Sequence, residues 1–308
     1  MLNVLNIIAP VFILTLLGYL SIRFTWLTRE QINGIGQFVI KIGLPAMTFH
    51  ALTVRSFNES IQPNYLFAYA AACLIGFSLA YFMAKKLGKT SAFAALSGLA
   101  FAMVNTAFVG IPILTMVIGS EKAGAFFAMN VLVEMVLAVP LTLILLEFAK
   151  NQQPNFKQTL KTIGLNFVRN NMMLGMFLGI ICSLLNLPIP KFVHTCTSLL
   201  TQAASPLALF VIGASLYGLA LRGKYNKLFW LVGIRAVIFI ALVTGCLMIA
   251  GVEREMLFSG ILLSAMPLPT IYALLGRQNG YETETAAITL ASTLFSIIPI
   301  TVILFLWV

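Results

Sequence analysis

Aspartate is absent from this chain of 308 residues, and histidine occurs only twice, at His50 and His194. Without aspartate there can be no paired-aspartate ion site of the sodium/proton exchanger kind and no intramembrane aspartyl protease centre. The two histidines fall near the outer ends of the second and seventh apolar segments. That placement neither ligates haem within one helix pair nor completes a serine hydrolase centre near Ser264, and interfacial polar residues are the plainer reading. Cysteine is scarce as well. Cys73, Cys182, Cys196 and Cys246 stand singly within or at the ends of apolar segments, with no C-x-x-C spacing. No disulfide framework, metal site or cofactor is expected, and the four read as small apolar packing residues.

Charge is the other shortage. Charged residues are 9 % of the sequence against 60 % apolar ones, a balance that cannot solvate the surface of a soluble domain. What fills the chain is apolar runs at roughly 3–22, 29–54, 63–84, 91–117 and 122–147, then 167–187, 191–219, 225–250, 256–276 and 283–307. Spans of about 20 residues each account for most of this content, so an all-α membrane protein of ten transmembrane helices is expected. The first run has no basic segment before it and no small-residue cleavage site after it. It is expected to be a retained span of a mature chain that is the whole chain.

The runs repeat at an offset of 161: Pro45 and Pro206 stand that far apart, and Glu147 maps onto Val308. A repeat with an odd number of spans forces its copies to face opposite ways across the bilayer. Two inverted five-helix repeats, 1–147 and 167–308, joined by a polar linker at 148–166, are the pattern of secondary transporters whose substrate site lies near the midplane. The linker holds Asn151-Gln152-Gln153-Pro154-Asn155 and is too short to be a domain.

The net charge of +10 has a topological origin. With the N-terminus outside, thirteen cations fall on the cytoplasmic side: Arg23, Arg29, Lys85, Lys86, Lys89, Lys150, Lys157, Lys161, Arg169, Arg222, Lys224, Lys227 and Arg277. Only four, Arg55, Lys122, Lys191 and Arg254, fall opposite. This positive-inside bias calls for both termini outside and a cytoplasmic linker. There is no basic stripe and no nucleic-acid module, so no nucleic-acid partner is expected.

Helix breaks locate the candidate site. The fourth span reads Asn105-Thr106-Ala107-Phe108-Val109-Gly110-Ile111-Pro112 and the ninth Ser264-Ala265-Met266-Pro267-Leu268-Pro269-Thr270. Proline removes a backbone donor and clashes with the preceding turn, and Gly110 adds flexibility just before Pro112. Irregular backbone at membrane depth is tolerated only inside protein or along a water-filled cavity, so the two breaks should meet there. A half-helix restarting after Pro112 or Pro269 presents free N–H groups and positive dipole charge, which suits a carboxylate. Asn105 and Thr106 add side-chain donors on one element and Thr270 on the other. The substrate-binding set expected from this reading is Asn105, Thr106, Gly110, Pro112, Pro267, Pro269 and Thr270. Pro140 and Pro299 read as simple kinks. Pro45, in Gly43-Leu44-Pro45-Ala46, and Pro206, in Ala204-Ser205-Pro206-Leu207, either shape a sliding face or relieve packing.

The string from Asn105 to Pro112, the Gly43-Leu44-Pro45-Ala46 turn and Leu268-Pro269-Thr270 resemble the auxin efflux carrier family, which includes plant auxin exporters and bacterial malate and malonate permeases. The resemblance covers all ten runs. It implies a scaffold of spans 1, 2, 6 and 7, possible homodimers through that scaffold, and a transport domain of spans 3–5 and 8–10. Spans four and nine would cross at their proline breaks. By the same resemblance Asn105 matches the asparagine that contacts the substrate carboxylate, and Pro112 the crossover proline. In the ninth span Pro267 and Pro269 compete, with Pro269 favoured. The long central loop of plant exporters is absent, which points to a compact bacterial permease of the inner membrane.

Three charges lie inside runs: Glu134, Arg235 and Lys41. At about 1.5 Å per residue they sit about 15 to 18 Å deep, where a charge is a functional candidate by default. Glu134 and Arg235 are expected to pair and stabilise the dipoles of the broken helices, with proton coupling through Glu134 as the competing reading. Sodium coupling stays open, and Lys41 also fits a snorkelling side chain. A carrier for small organic anions is the favoured function, with a channel or a carboxylate sensor as alternatives. No nucleophile, base and orienter set supports an enzyme.

Overall fold

A computed structural model describes residues 2–54, 61–150, 156–217 and 225–307. Arg55, Arg222, Lys224, the Asn151 to Asn155 stretch and both terminal residues, which enter the topology expectation above, lie outside the described residues. Everything described is helix, turn or short extended connection, with no strand among the described residues.

The first half contains α1 (Leu2–Arg23), α2 (Arg29–Phe38), α3 (Leu44–Val54), α4 (Pro63–Lys86), α5 (Ser91–Ala102), α6 (Ile111–Ile118), α7 (Ser120–Val133) and α8 (Val139–Lys150). The second holds α9 (Phe156–Arg169), α10 (Asn171–Leu184), α11 (Lys191–Leu216), α12 (Tyr225–Ile249), α13 (Arg254–Ser264), α14 (Thr270–Gln278), α15 (Glu282–Phe295) and α16 (Ile297–Trp307). Local sequence sets the starts. Thr28 and Gln31 form a reciprocal capping box ahead of α2, Thr90 Oγ1 accepts from Phe93 N–H ahead of α5, and Pro63 opens α4, where its missing N–H is no loss. Between α6 and α7 the chain reverses at Gly119, whose φ of +84° is a conformation that glycine adopts without strain.

Single π-helical turns join α2 to α3 (Val39–Gly43), precede α6 (Thr106–Gly110) and join α7 to α8 (Glu134–Ala138). Such turns are rare and concentrate at functional sites. Pro45 follows the first of them at the start of α3, whereas Pro206 is accommodated inside a continuous α11.

Among the described residues seven helical stretches are long and apolar enough to cross a membrane, and an eighth is reached if the bent pair α9–α10 counts as one. The expectation of ten spans exceeds this for physical reasons. The ninth run is divided into α13 and α14, neither long enough alone, whereas α1 runs as one apolar helix of 22 residues. The sixth run also differs from its expected bounds. Asn170, whose Oδ1 accepts from the N–H groups of Met172 and Met173 at 3.0 and 3.4 Å, starts α10 afresh and turns the chain by 74°, so Phe156–Arg169 forms a separate helix within the expected linker.

Two sets of close crossings organise the packing, and they meet where Gly124 of α7 lies against Ala51 of α3. In the first, α1 crosses α11 where Gly18 lies against the Phe210 carbonyl and Gly213 against the Thr15 carbonyl, leaving no room for a Cβ on either. In the same manner α10 crosses α3, with Gly175 on the Pro45 backbone and Gly179 on Leu52. Gly43 touches Ala204 between these pairs. The second group is built on α4, which packs against α5 and α12, with α7, α13 and α15 around it. Its buried side chains, Tyr65, Tyr69, Phe127, Phe239, Leu96 and Leu99, belong to a continuous core that also takes in Met47, Leu52, Met173 and Ala208 of the first.

Candidate functional site

Two helices are interrupted in the second group, and the interruptions touch. α5 ends at Ala102, Met103 is extended (φ −137°, ψ 137°), and the chain becomes helical again at Thr106. Asn105 starts the new helix by accepting the Phe108 N–H on its Oδ1 at 3.1 Å. In the other helix, α13 ends at Ser264, Pro269 is extended (φ −78°, ψ 158°), and α14 begins at Thr270. Across the gap the Asn105 N–H donates to the Pro267 carbonyl at 2.7 Å.

The local reason for each break differs from the simplest reading of the prolines. Pro269 stands directly before the restart in α14, while the bond across the crossing is made by the Pro267 carbonyl. Pro112 does not: it lies six residues beyond Thr106, directly after the π-helical turn and inside continuous helix, so the break in this element is made by Met103 to Asn105. Asn105 and Met266 stand 161 residues apart, the offset that also separates Gly43 from Ala204. Gly110 has ordinary helical angles (φ −65°, ψ −53°) and acts through its size: a Cβ there would lie 2.8 Å from Leu263 Cδ2.

Extended backbone inside a protein must find partners. A side chain from the next apolar run supplies one in each case. Glu134 Oε1 accepts the Val104 N–H at 3.4 Å, and Ser292 Oγ accepts the Leu268 N–H at 3.0 Å. Glu134 Oε1 also accepts the hydroxyls of Tyr69 at 3.0 Å and Thr106 at 3.5 Å.

Arg235, 5 % exposed, serves the opposite ends. Its Nε donates to the Ala100 carbonyl at 2.8 Å, Nη2 to Met103 at 3.0 Å and Nη1 to Met266 at 3.3 Å, and its guanidinium lies 5.3 Å from the Phe239 ring centroid. The carbonyls at helix C-termini carry partial negative charge, so one cation neutralises the ends of both α5 and α13. Glu134 and Arg235 thus share the crossing without a direct bond between them: the carboxylate is held by donors and the guanidinium by carbonyls. A second polar rung lies one turn along from Glu134, where Tyr65 donates its hydroxyl to Asn130 Oδ1 at 2.9 Å; the Asn130 Nδ2 is fully buried without a partner.

Thr106, Gly110, Pro112, Pro267 and Pro269 are buried, Asn105 is half-buried, and Thr270 is exposed at the head of α14. Lys41 is exposed on its π-helical turn and contributes a backbone carbonyl to Asn171 Nδ2, without a contact to the crossing. Beside the crossing lies a cavity of about 110 Å³ between α1 and α11 on one side and α6, α16 and Pro267 on the other, its wall formed mainly by Val11, Val109, Ile113, Leu209, Ile300 and Leu304. Tyr69, Asn130 and Ser292 were missed from sequence. The one available signal was the spacing of Tyr65 with Tyr69 and of Asn130 with Glu134, two polar pairs four residues apart in otherwise apolar runs.

Residues 3–304 match the family described as membrane transport protein. A relative in Rhizobium meliloti (strain 1021), named "Putative malonate transporter", is 24 % identical over 99 % of this chain and 96 % of its own length. The chain belongs to the membrane transport protein family, that of the auxin efflux carriers, and is an integral membrane transport protein rather than an enzyme.

Proposed function

We propose that the chain is a secondary carrier for small organic anions, working by alternating access. The observation that carries this reading is the meeting of two interrupted helices at the Asn105 to Pro267 bond, beside a cavity lined by residues of both packing groups. At such a crossing the restarts at Thr106 and Thr270 offer N–H groups and positive dipole ends to a carboxylate, with the Asn105 amide as a neutral donor. The Arg235 guanidinium is engaged by carbonyls and supports the helices rather than clamping the anion. The name of the Rhizobium relative favours a carboxylate of malonate size, and malate-like and indole-type acids present the same charged end.

The packing also supports ten spans in two inverted repeats. Gly43 and Ala204 are 161 residues apart and touch, as residues on a pseudo-two-fold axis do. The α1–α11 crossing at Gly18 and Gly213 has its counterpart at the same offset in the α10–α3 crossing at Gly179 and Leu52. On this reading α1, α2–α3, α10 and α11 form the scaffold and the second group moves against it in an elevator motion, both termini facing outside the inner membrane.

The test is uptake into proteoliposomes from a panel of labelled malonate, malate, monocarboxylates and indole acids, with and without a pH gradient. Saturable uptake of a carboxylate with counterflow supports the carrier. Conductance far above carrier turnover would favour a channel, and binding without flux a sensor.

A further inference from the structure

The two histidines of the chain meet at the ends of α3 and α11 that the ten-span reading places outside. His50 stands one turn before the end of α3 and His194 in the first turn of α11, and their rings lie edge to face with centroids 5.9 Å apart. His50 Nδ1 is 3.0 Å from Thr197 Oγ1. The single hydrogen of that hydroxyl goes to the Val193 carbonyl at 2.9 Å, so toward His50 the oxygen accepts, and His50 carries its hydrogen on Nδ1. Nε2 is then the nitrogen that gains a proton in acid.

Both rings line an open cavity of about 540 Å³ together with Ser198 and Gln202 of α11 and Glu121 in the first turn of α7. α7 belongs to the second packing group, and it rests on α3 where Gly124 meets Ala51 too closely for a Cβ. The cavity therefore borders the contact between the groups, with two imidazoles from one and a carboxylate from the other. Other charges nearby are few. Lys122 is turned to Glu255 of α13, Nζ to Oε2 2.6 Å, and Arg254 lies over the Trp307 ring, with Glu253 just ahead of that helix. Lys191 is exposed at the head of α11. α10, also packed on α3, brings Cys182 as its one titratable group. α6 has none, and α1 has none ahead of Tyr19. Arg29 and Glu30 of α2 belong to the far end of α11, where Arg29 donates to the Tyr217 carbonyl, and Lys41 stands by Asn171. Arg55 and Glu59, which follow α3, lie outside the described residues.

We propose that His50, His194 and Glu121 form an acid-operated latch between the two packing groups. Imidazole is the side chain whose charge changes between about pH 5 and 8. Above that range the rings are neutral and exert no hold on Glu121. Below it two cations on α3 and α11 face one anion on α7. The two imidazolium rings repel each other, and the carboxylate offsets that repulsion only while α7 stays in the position seen here. Acid therefore favours this arrangement and slows departure from it. As a brake on transport the latch rests on the elevator reading, whereas the ion pair itself does not.

The first measurement uses full-length protein in detergent without substrate. Melting temperatures of the parent, Glu121→Gln, His194→Gln and the double variant form a cycle, run at about pH 5.5 and about pH 8. The latch predicts coupling between the two positions in acid, reduced by high salt, and none at the alkaline pH. His50→Gln in place of His194→Gln repeats the cycle from the other ring. The second measurement is counterflow of labelled malonate with the same pH on both sides of the proteoliposome, so that no gradient drives it. Glu121→Gln should exchange about three- to fivefold faster than the parent at the acid pH, the scale of a partly exposed ion pair, and equally fast at the alkaline one. Comparing variant with parent at each pH removes the effect of acid on malonate and on Glu134. Absence of coupling in acid, or coupling with no difference in exchange, would overturn the latch. A parent without counterflow would count against a malonate carrier instead, and the melting cycle would still decide whether the ion pair forms.

Discussion

The backbone amide of Asn105 and the carbonyl of Pro267 are bonded at 2.7 Å, joining two interrupted helices at their interruptions. Each break leaves donors on one side and acceptors on the other, and the arrangement sorts them. Acceptors from Glu134 and Ser292 meet the exposed amides, and the one guanidinium of Arg235 gathers carbonyls from both helices. What is left over is the pair of helix starts at Thr106 and Thr270, which is where an anion would be received.

The crossing depends on the absence of a side chain at Gly110. Gly110→Val places carbon within about 3 Å of Leu263 and should cost about 1 to 3 kcal/mol through overpacking. Adding Leu263→Ala should recover part of the loss, which thermal melting of the two single variants and the double variant would show. Additive losses would mean that the two positions do not meet.

Much of this arrangement was legible in the sequence and part was not, for definite reasons. The apolar character of the helices follows from hydropathy, and the corner at Pro269 follows from the absence of a proline N–H. The break at Met103 to Asn105 contains no proline. Its cause is the Asn105 cap together with a hydrogen bond to a residue more than 150 positions away, and neither has a local signature. Likewise, two opposite charges in a transport unit suggested mutual pairing. Only the three-dimensional structure shows that the helix ends are the nearer partners. α9 falls mostly in the stretch that length and charge mark as a linker, although Leu160, Ile163 and Phe167 already stand at helical spacing there.

Arg235 should be irreplaceable by lysine. Arg235→Lys retains a cation, but one ammonium cannot reproduce the planar fork that spans Ala100, Met103 and Met266. Arg235→Met should be worse, because it strands buried carbonyls at about 1 to 3 kcal/mol for each group left unpaired. Both variants should lower the melting temperature, and transport should fall in parallel. A lysine variant with parental stability would show that the three carbonyls do not depend on the fork.

Asn105→Ala removes a donor to the anion and a helix cap together. Loss of a hydrogen bond to a charged group should weaken carboxylate binding by about 1.5 to 3 kcal/mol, and loss of the cap should lower stability by about 1 kcal/mol. Asn105→Asp separates the two: its oxygen still accepts the Phe108 N–H, while its charge repels a carboxylate. It should melt like the parent and bind poorly. Parental affinity in both variants would place the substrate elsewhere.

The ten-span reading makes a topological prediction. A reporter that is active only in the cytoplasm should be silent when fused after Val308 and active when inserted near Pro154. Strong activity at the C-terminus would overturn the outside placement of the termini, and together with activity near Pro154 it would require an odd number of crossings in the second half and remove the inverted repeat.

Coupling turns on Glu134, and its geometry alters the expectation drawn from sequence. A carboxylate paired with Arg235 would make Glu134→Gln strand a buried cation at about 3 to 5 kcal/mol. In the structure the guanidinium is held by three carbonyls, and Glu134 Oε1 is held by Tyr69, Val104 and Thr106. A glutamine oxygen can accept the same three bonds. Glu134→Gln should therefore fold and melt within a few degrees of the parent. If Glu134 carries the coupling proton, the variant should lose pH-gradient-driven accumulation while exchange of substrate for substrate persists, because exchange requires no net proton movement. The two assays on one proteoliposome preparation decide the matter. Gradient-driven uptake that survives in a stable Glu134→Gln protein would exclude this carboxyl from coupling and leave it as the anchor of the Val104 amide.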